Sequence, residues 1–149
     1  MKMVEVSTGD LIGRGLNWVM ATIEGLPIRH DPMGFGLTAN GGYWVWDDAP
    51  NGRKQKLAVP PSEDSRNSFN YYSPSTDWSQ LGPLILKYPI VLGNHESGED
   101  DGKFWGSAHC FFNGTSFDTK LGVMVAACRA IVALKRGAVV EVPEVLLAA

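Results

Sequence analysis

The sequence is poor in cysteine, carries little excess charge and contains no long apolar run. Its only cysteines among 149 residues are Cys110 and Cys128, which excludes a disulfide-rich scaffold and allows one bridge at most. Both lie in apolar surroundings, where a reduced thiol packs as a small hydrophobe. No apolar stretch approaches the roughly 20 residues that span a bilayer. Lys and Arg total 13 against 16 Asp and Glu, and this balance argues against nucleic-acid binding, which needs a clustered basic surface.

The length and composition predict a single domain, 1–149, that can bury a core without disulfides or metals. A hydrophobic content of 44% and a charged content of 19% are typical of globular proteins. Charged residues interrupt the first twenty positions at Glu5, Asp10 and Arg14, so we expect no secretory signal peptide there. We therefore expect a cytoplasmic protein with reduced thiols.

Two segments have the periodicity of amphipathic helices. The first is predicted from about Asp10 to Glu24, with Gly25 as its stop signal. The second is predicted from about Phe117 to Arg136, capped by Ser116 and ended by a glycine. Their apolar faces comprise Ile12, Leu16, Val19, Met20 and Ile23 in the first helix, and Leu121, Met124, Val125, Cys128, Ile131, Val132 and Leu134 in the second.

The remaining apolar segments are short and favour strands. Alternation in "GGYWVWDD" (41–48) predicts one strand. Proline and polar residues make 50–70 a flexible connection, with a returning strand at 57–59 as an option inside it. The fold class predicted is α+β: a small, mainly antiparallel sheet packed by two principal helices plus short helices, in one domain. The other strands are predicted at 90–92, 103–112 and 138–143, with loops at 26–42 and 93–102 and a closing turn at 143–147.

The segment "YSPSTDWSQLGPLI" (72–85) concentrates turn and capping residues. Hydroxyls and an acid here suit bare helical N–H groups, and Asp77 followed by Gln80 resembles a capping box. Pro83 then suits the first position of a second short helix. We interpret the polar side chains as two successive helix starts. For Trp78 we favour an anchor of this turn to the core, and the alternative is that it lines a groove.

Three places offer residues with catalytic or metal-binding chemistry, and each is interpreted as structural. His30 and Asp31 have no identifiable nucleophile beside them. His109 and Cys110 are adjacent, so a regular strand points them to opposite faces. An acidic loop around His95 fits neither a calcium-binding loop nor a zinc motif. We predict no catalytic residue, no cofactor and no metal site. The loop residues considered are His95, Glu96, Glu99, Asp100 and Asp101.

Aromatic residues are the most suggestive feature for binding, because tryptophan and tyrosine are enriched at interface hot spots. Along the strand at 41–48 the side chains alternate between faces. That strand therefore either exposes an aromatic face as a contact patch or lies in a sheet covered on both sides. The candidate interaction surface comprises Tyr43, Trp44, Trp46, Tyr72, Trp78 and Trp105.

Four blocks carry a resemblance to a known family: "LIGRGLNWVMATIEG", "GGYWVWDD", "YSPSTDWSQLGPLI" and "GAVVEVPEVLL". Together they resemble the small NinX-like family of phage and prophage proteins, and the third block is the most specific. Residues 50–70 and 93–102 depart from the family pattern. The resemblance implies an accessory phage or prophage gene acting in a bacterial cytoplasm, and it supplies no catalytic residues.

These observations favour a non-enzymatic accessory protein that binds a host or phage protein. The alternative is a small hydrolytic or metal-dependent enzyme that uses His30, His95 or His109 with nearby carboxylates. A second alternative is a nucleic-acid-associated phage protein with a basic face that the composition conceals.

Overall fold

The computed structural model describes residues 2–26, 28–31, 42–46, 54–57, 70–96, 104–110 and 116–147. Helices and strands are interspersed along these residues, and the predicted α+β class is confirmed. The helices are α1 (Gly13–Ile23), α2 (Trp78–Lys87) and α3 (Val123–Arg136). The strands are β1 (Met3–Ser7), β2 (Ile28–Asp31), β3 (Gly42–Trp46), β4 (Lys54–Leu57), β5 (Asn70–Tyr72), β6 (Ile90–Glu96), β7 (Phe104–Cys110), β8 (Ser116–Thr119) and β9 (Val139–Pro143).

The strands form three sheets rather than one. In the first, β1 pairs antiparallel with β9, so segments from opposite ends of the described chain lie side by side. In the second, the order is β2-β3-β4-β5, and only the β4–β5 pair is parallel. In the third, β6, β7 and β8 form an antiparallel meander. Two short 3₁₀ turns, Thr8–Asp10 and Glu144–Leu146, follow β1 and β9.

Helix α3 is the centre of the core. It packs against the β6–β7–β8 sheet on one side and against α1 and α2 on others. Its buried stretch from Ala126 to Val132 is rich in alanine, which lets neighbouring backbones approach closely. Across from it, Leu16 and Met20 of α1 are fully buried. This helix was the predicted core element, and Cys128 lies on its buried face as a free thiol.

The β6–β7–β8 sheet packs closely on the start of α3 at Gly106 of β7. A Cβ atom built on this residue would lie 2.2 Å from the backbone nitrogen of Val123 and 2.4 Å from the carbonyl carbon of Gly122. Real Cβ atoms essentially never come within 3.0 Å of a heavy atom outside their own and neighbouring residues. The absence of a side chain at this position therefore allows the first turn of α3 to rest directly on the strand.

Both long helices begin later than the sequence predicts. Residues Ser116–Thr119 form β8, because they pair with β7 rather than capping a helix. Helix α3 starts only after Gly122, whose φ of +107° is a conformation that L side chains rarely adopt. Likewise α1 begins at Gly13, and the preceding Ile12 is extended. As a result, Ile12 and Leu121 do not lie on buried helical faces and are 53% and 59% exposed.

Around Pro83 the predicted pair of helix starts is also wrong. One continuous helix, α2, runs through this proline. Its start at Asp77 agrees with the capping prediction, since the carboxylate accepts from the backbone N–H of Ser79 at 2.9 Å. A proline inside a helix removes one backbone hydrogen bond. The buried side chains of Leu81 and Leu84 on either side of Pro83 hold the helix to the core nonetheless.

Several segments predicted as loops contain strands in the structure, and others lie outside the described residues. The predicted loop at 26–42 contains β2, and the one at 93–102 begins inside β6. Within 50–70, the short strand β4 precedes the predicted returning strand, and the rest of that connection lies outside the described residues. The extended segment and closing turn predicted after residue 137 are confirmed as β9 and the second 3₁₀ turn.

Candidate binding groove

An open groove of about 670 Å³ lies where the starts of the three helices meet. Apolar side chains dominate its lining, and several of them are large hydrophobics that remain exposed to solvent. Exposed apolar side chains that cluster at one concave site mark a contact surface more strongly than single exposed ones do. The exposed hydrophobics of the lining are Ile12 (53%), Trp78 (49%), Leu121 (59%) and Leu147 (41%).

The first wall of the groove is the segment that enters α1. Leu11 is fully buried, which turns the next residue, Ile12, outward. Arg129 of α3 fixes this segment, because its Nε donates to the Leu11 carbonyl oxygen at 2.9 Å. Burial lowers the pKa of the Arg129 guanidinium, and the nearby charge of Asp10 opposes that shift. The wall is thus held from beneath by a buried cation.

The second wall is the turn that leads into α2. Asn17, a fully buried residue of α1, accepts from the Ser75 hydroxyl at 2.9 Å and from its backbone N–H at 3.3 Å. The Asn17 amide also donates to Ser73 Oγ at 3.3 Å. Buried polar groups that satisfy one another in this way fix a single geometry. The network holds the turn against α1 and leaves Trp78, at the first position of α2, half exposed at the groove.

The third wall is the start of α3. Leu121 precedes the helix in a turn, where Thr119 Oγ1 accepts from the Leu121 N–H at 3.1 Å. The close packing of Gly106 against Val123 fixes the distance between the start of α3 and the β6–β7–β8 sheet. Met124 and Val125 continue the apolar lining along the first turn of the helix. Leu121 therefore stands as an exposed apolar side chain at a rigidly placed helix start.

The fourth wall comes from the end of the described chain. Leu146 is buried, and the neighbouring Leu147 packs against Gly15 of α1. If Gly15 carried a Cβ, that atom would lie 3.3 Å from Leu147 Cδ2. The backbone N–H of Glu144 donates to the Lys2 carbonyl oxygen at 2.9 Å and so ties this segment to β1. The β1–β9 pairing thereby positions one side of the groove.

The polar groups of the groove are few and already engaged in structural bonds. The Ser75 hydroxyl is bonded to Asn17, and Thr76 shares a hydrogen bond of 2.5 Å with Ser73. The charged side chains of the lining are Asp10 and Arg14. This arrangement offers apolar contact area with a polar rim.

A second polar cluster lies at the far end of α1 and ties α2 to it. Lys87 Nζ donates to Glu24 Oε2 at 3.0 Å, and the Tyr88 hydroxyl donates to the same oxygen. The pKa of Lys87 is raised mainly by its hydrogen bond to Glu24. The pKa of Tyr88 is raised mainly by burial, and that of the neighbouring Tyr72 phenol is raised for the same reason. We interpret this cluster as a structural contact that holds the end of α2 to the end of α1.

The structure separates the aromatic residues whose side chains it describes. Of Tyr72, Trp78 and Trp105, only Trp78 lies in the lining of the groove. Tyr72 is 6% exposed and belongs to the core. Trp105 is partly buried on β7, and Lys120 Nζ lies 5.5 Å from the centre of its ring. The backbones of Tyr43, Trp44 and Trp46 lie in β3, and their side chains are outside the described residues.

The histidines considered from the sequence do not enter the groove where they are described. His109 is exposed on β7 while Cys110 is buried, as the predicted alternation requires. The side chains of His30 and His95, and the acidic residues 97–101, lie outside the described residues. Within the described ranges, no group of three or more His, Cys, Asp or Glu residues is arranged to hold a metal ion.

The sequence reasoning favoured Trp78 as an anchor to the core, with a groove as the alternative, and the structure places it in the lining of the groove. It assigned Ile12, Leu121, Met124 and Val125 to apolar helical faces, and these residues also line the groove. Their apolar character was visible, but their exposure depends on where each helix begins. Leu147 was assigned only to a closing turn. The signal in the sequence that would have moved Leu121 outward is Gly122, because glycine readily adopts the positive φ found where α3 begins.

Fold and groove together define a small α+β protein with an open apolar groove. Among the described helices, none has the length and apolar character to cross a membrane. Residues 7–135 match the sequence model of the family described as Bacteriophage P22, NinX. The match covers most of the chain, which therefore belongs to this family of phage-derived proteins, as the resemblance predicted. No curated protein matches the chain.

Proposed function

We propose that this phage-derived protein is a non-enzymatic binding module whose groove receives apolar side chains of a host or phage protein. The observation that carries this proposal is the convergence of four exposed, large hydrophobic side chains on one concave site of about 670 Å³. Leaving this much apolar surface in water is unfavourable, and covering it on binding returns roughly 25 cal/mol for each Å² removed from water.

The rigidity of the walls supports the same function. Trp78 is placed by the Asn17 network, and Leu121 by the packing of α3 on Gly106. Preformed walls lower the entropy lost when a partner docks, because fewer side chains must be ordered at that moment. A half-exposed tryptophan beside a preformed pocket is the residue type most often found at interface hot spots.

A matched pair of leucine variants tests the proposal. Leu121→Asp places a charge in the groove, whereas Leu86→Asp makes the same change at an 85% exposed position of α2 that does not line the groove. Circular dichroism should show both variants folded, since both leucines are exposed. Each protein is then used to capture partners from a bacterial host lysate, with and without nuclease.

A captured protein that the wild type and Leu86→Asp retain, and that Leu121→Asp loses, supports the groove as the contact site. The captured protein should bind purified Leu121→Asp about tenfold or more weakly than it binds the purified wild type, which corresponds to about 1.4 kcal/mol of binding free energy. Equal retention by the two variants contradicts the proposal. Capture that disappears on nuclease treatment contradicts a protein partner and favours nucleic acid.

A further inference from the structure

A second surface, separate from the groove, lies along the free edge of β9. The β1–β9 ladder is bounded by hydrogen bonds from the Thr8 N–H to the Ala138 oxygen and from the Glu144 N–H to the Lys2 oxygen. Bonded and non-bonded pairs alternate along an antiparallel ladder. Given the register, the odd-numbered residues between these bonds must point their backbone N–H and C=O groups away from the partner strand.

On β9 the outward-pointing residues are Val139 and Glu141. Pro143 also points outward but has no N–H, so the accessible edge ends there. In the described part of the chain, no strand pairs with this side of β9 and no other backbone group bonds to Val139 or Glu141. Among the described residues, the edge is therefore a short, defined stretch of unpaired backbone, which is the feature that an added strand requires.

A cavity of about 400 Å³ runs beside this edge. It is touched by the consecutive residues Val139, Val140 and Glu141. Because successive side chains of a strand point to opposite faces, contact with three in a row places the cavity along the edge rather than on one face. Its other wall is α1, through Trp18, Val19 and Thr22, with Arg136 at one end. A strand added to β9 would thus have room for an inward side chain beneath α1.

The outer face of the same sheet carries an unfavourable charge pair. Glu5 of β1 lies directly opposite Glu141 of β9, and both are exposed. Like charges at directly opposed positions destabilise a sheet. A residue of an added strand beside Glu141 would extend this row on the same face, so a basic side chain there would relieve the repulsion.

We propose that the β9 edge binds an extended peptide segment of a partner protein by strand addition. The segment places a Lys or Arg beside Glu141 on the outer face, and an apolar side chain beside Val140 in the cavity under α1. Main-chain hydrogen bonds to Val139 and Glu141 supply the pairing. This site is separate from the groove; its β9 residues lie beyond residues 7–135 that match the family, whereas its α1 wall lies within them.

The probe for this site is a six-residue peptide of alternating Lys and Val, acetylated, amidated and labelled with a fluorophore. Glu141→Pro removes the outward N–H on β9, and the matched Glu5→Pro makes the same change on the free edge of β1. We expect fluorescence anisotropy to show at least a tenfold loss of affinity in Glu141→Pro and less than a threefold loss in Glu5→Pro. Equal loss in the two variants, or no binding to the wild type at about 1 mM peptide, overturns the proposal.

A charge-swap variant tests the recognition rule while keeping the backbone N–H. Glu141→Lys should weaken binding of the Lys/Val peptide and favour a matched Glu/Val peptide, and an unchanged preference contradicts the role of Glu141. Amide exchange measured by NMR should slow at Val139 and Glu141 when peptide binds the wild type, and unchanged exchange there contradicts strand addition. Leu121→Asp should bind the Lys/Val peptide normally, and weakened binding would place the peptide in the groove instead.

Discussion

Substituting Gly106 by alanine tests the contact on which the placement of α3 depends. The new Cβ would lie 2.2 Å from Val123 N, 2.4 Å from Gly122 C and 2.6 Å from Val123 Cα. These neighbours are backbone atoms, so no side chain can rotate to make space. Reaching the 3.4 Å at which ordinary contact begins requires β7 and the start of α3 to separate by more than 1 Å.

We expect Gly106→Ala to lower the free energy of unfolding by about 3 kcal/mol, the upper end of the range for overpacked cores. For a chain of this size that corresponds to a fall in Tm of roughly 10 °C. Thermal and urea unfolding followed by circular dichroism measure both quantities. The start of α3 also forms a wall of the groove, so a variant that still folds should bind groove partners more weakly.

Gly82→Ala is the matched control for this prediction. Gly82 lies inside α2, and apart from its chain neighbours a Cβ added there would meet nothing within 4 Å. Here alanine should change stability by less than about 1 kcal/mol, because its better helix propensity is opposed by the restriction that Pro83 places on a preceding residue with a Cβ. A large loss at Gly106 beside a small change at Gly82 supports the close approach at Gly106. A Gly106→Ala protein as stable as the wild type would refute it.

Two further predictions concern buried polar groups. Asn17→Ala should lower the free energy of unfolding, measured with urea, by about 3 kcal/mol, because it leaves Ser75 N–H and Oγ without their acceptor. The control Ser79→Ala, at an exposed position, should lower it by under about 0.5 kcal/mol. Similar losses in the two variants would argue against the network. Stability should also fall as pH rises above about 10, because Tyr72, Tyr88 and Lys87 all have a pKa that is raised in the folded state. Each protonated group then stabilises the folded state at pH values below its unfolded-state pKa, and this contribution is lost as the pH rises above that pKa. Urea midpoints measured from about pH 8 to about pH 11 should fall less steeply in Tyr72→Phe, and a flat profile in the wild type would contradict the burial of these groups.

The periodic signals in the sequence were reliable where local pattern and tertiary packing agreed. Leu16, Val19 and Met20 recur at helical spacing and are buried in α1. Alternation correctly separated His109 from Cys110 on β7. The capping role of Asp77 followed from its side-chain chemistry alone. Each of these features depends on residues that are close in sequence.

The misplaced features depend on contacts between distant residues. Ser116 and Asp118 have the local character of a helix start, but pairing with β7 draws them into a strand. That pairing delays α3 and moves Leu121 to the surface. The groove could not be predicted for the same reason, since its walls come from four separate segments. Asn17 in particular is an ordinary polar residue by pattern, and its role appears only when Ser73 and Ser75 are packed against it.

The pairing of β1 with β9 has a consequence for the order in which the protein folds. Met3 lies opposite Pro143, so this sheet closes a loop of nearly the whole chain. Closing it costs about 2 kcal/mol more entropy than closing a ten-residue loop, and contacts this distant in sequence form late. During synthesis, β1 has to wait for β9 to leave the ribosome. The fourth wall of the groove is therefore completed last, and a nascent chain holding only α1, α2 and α3 presents a wider apolar surface than the finished protein.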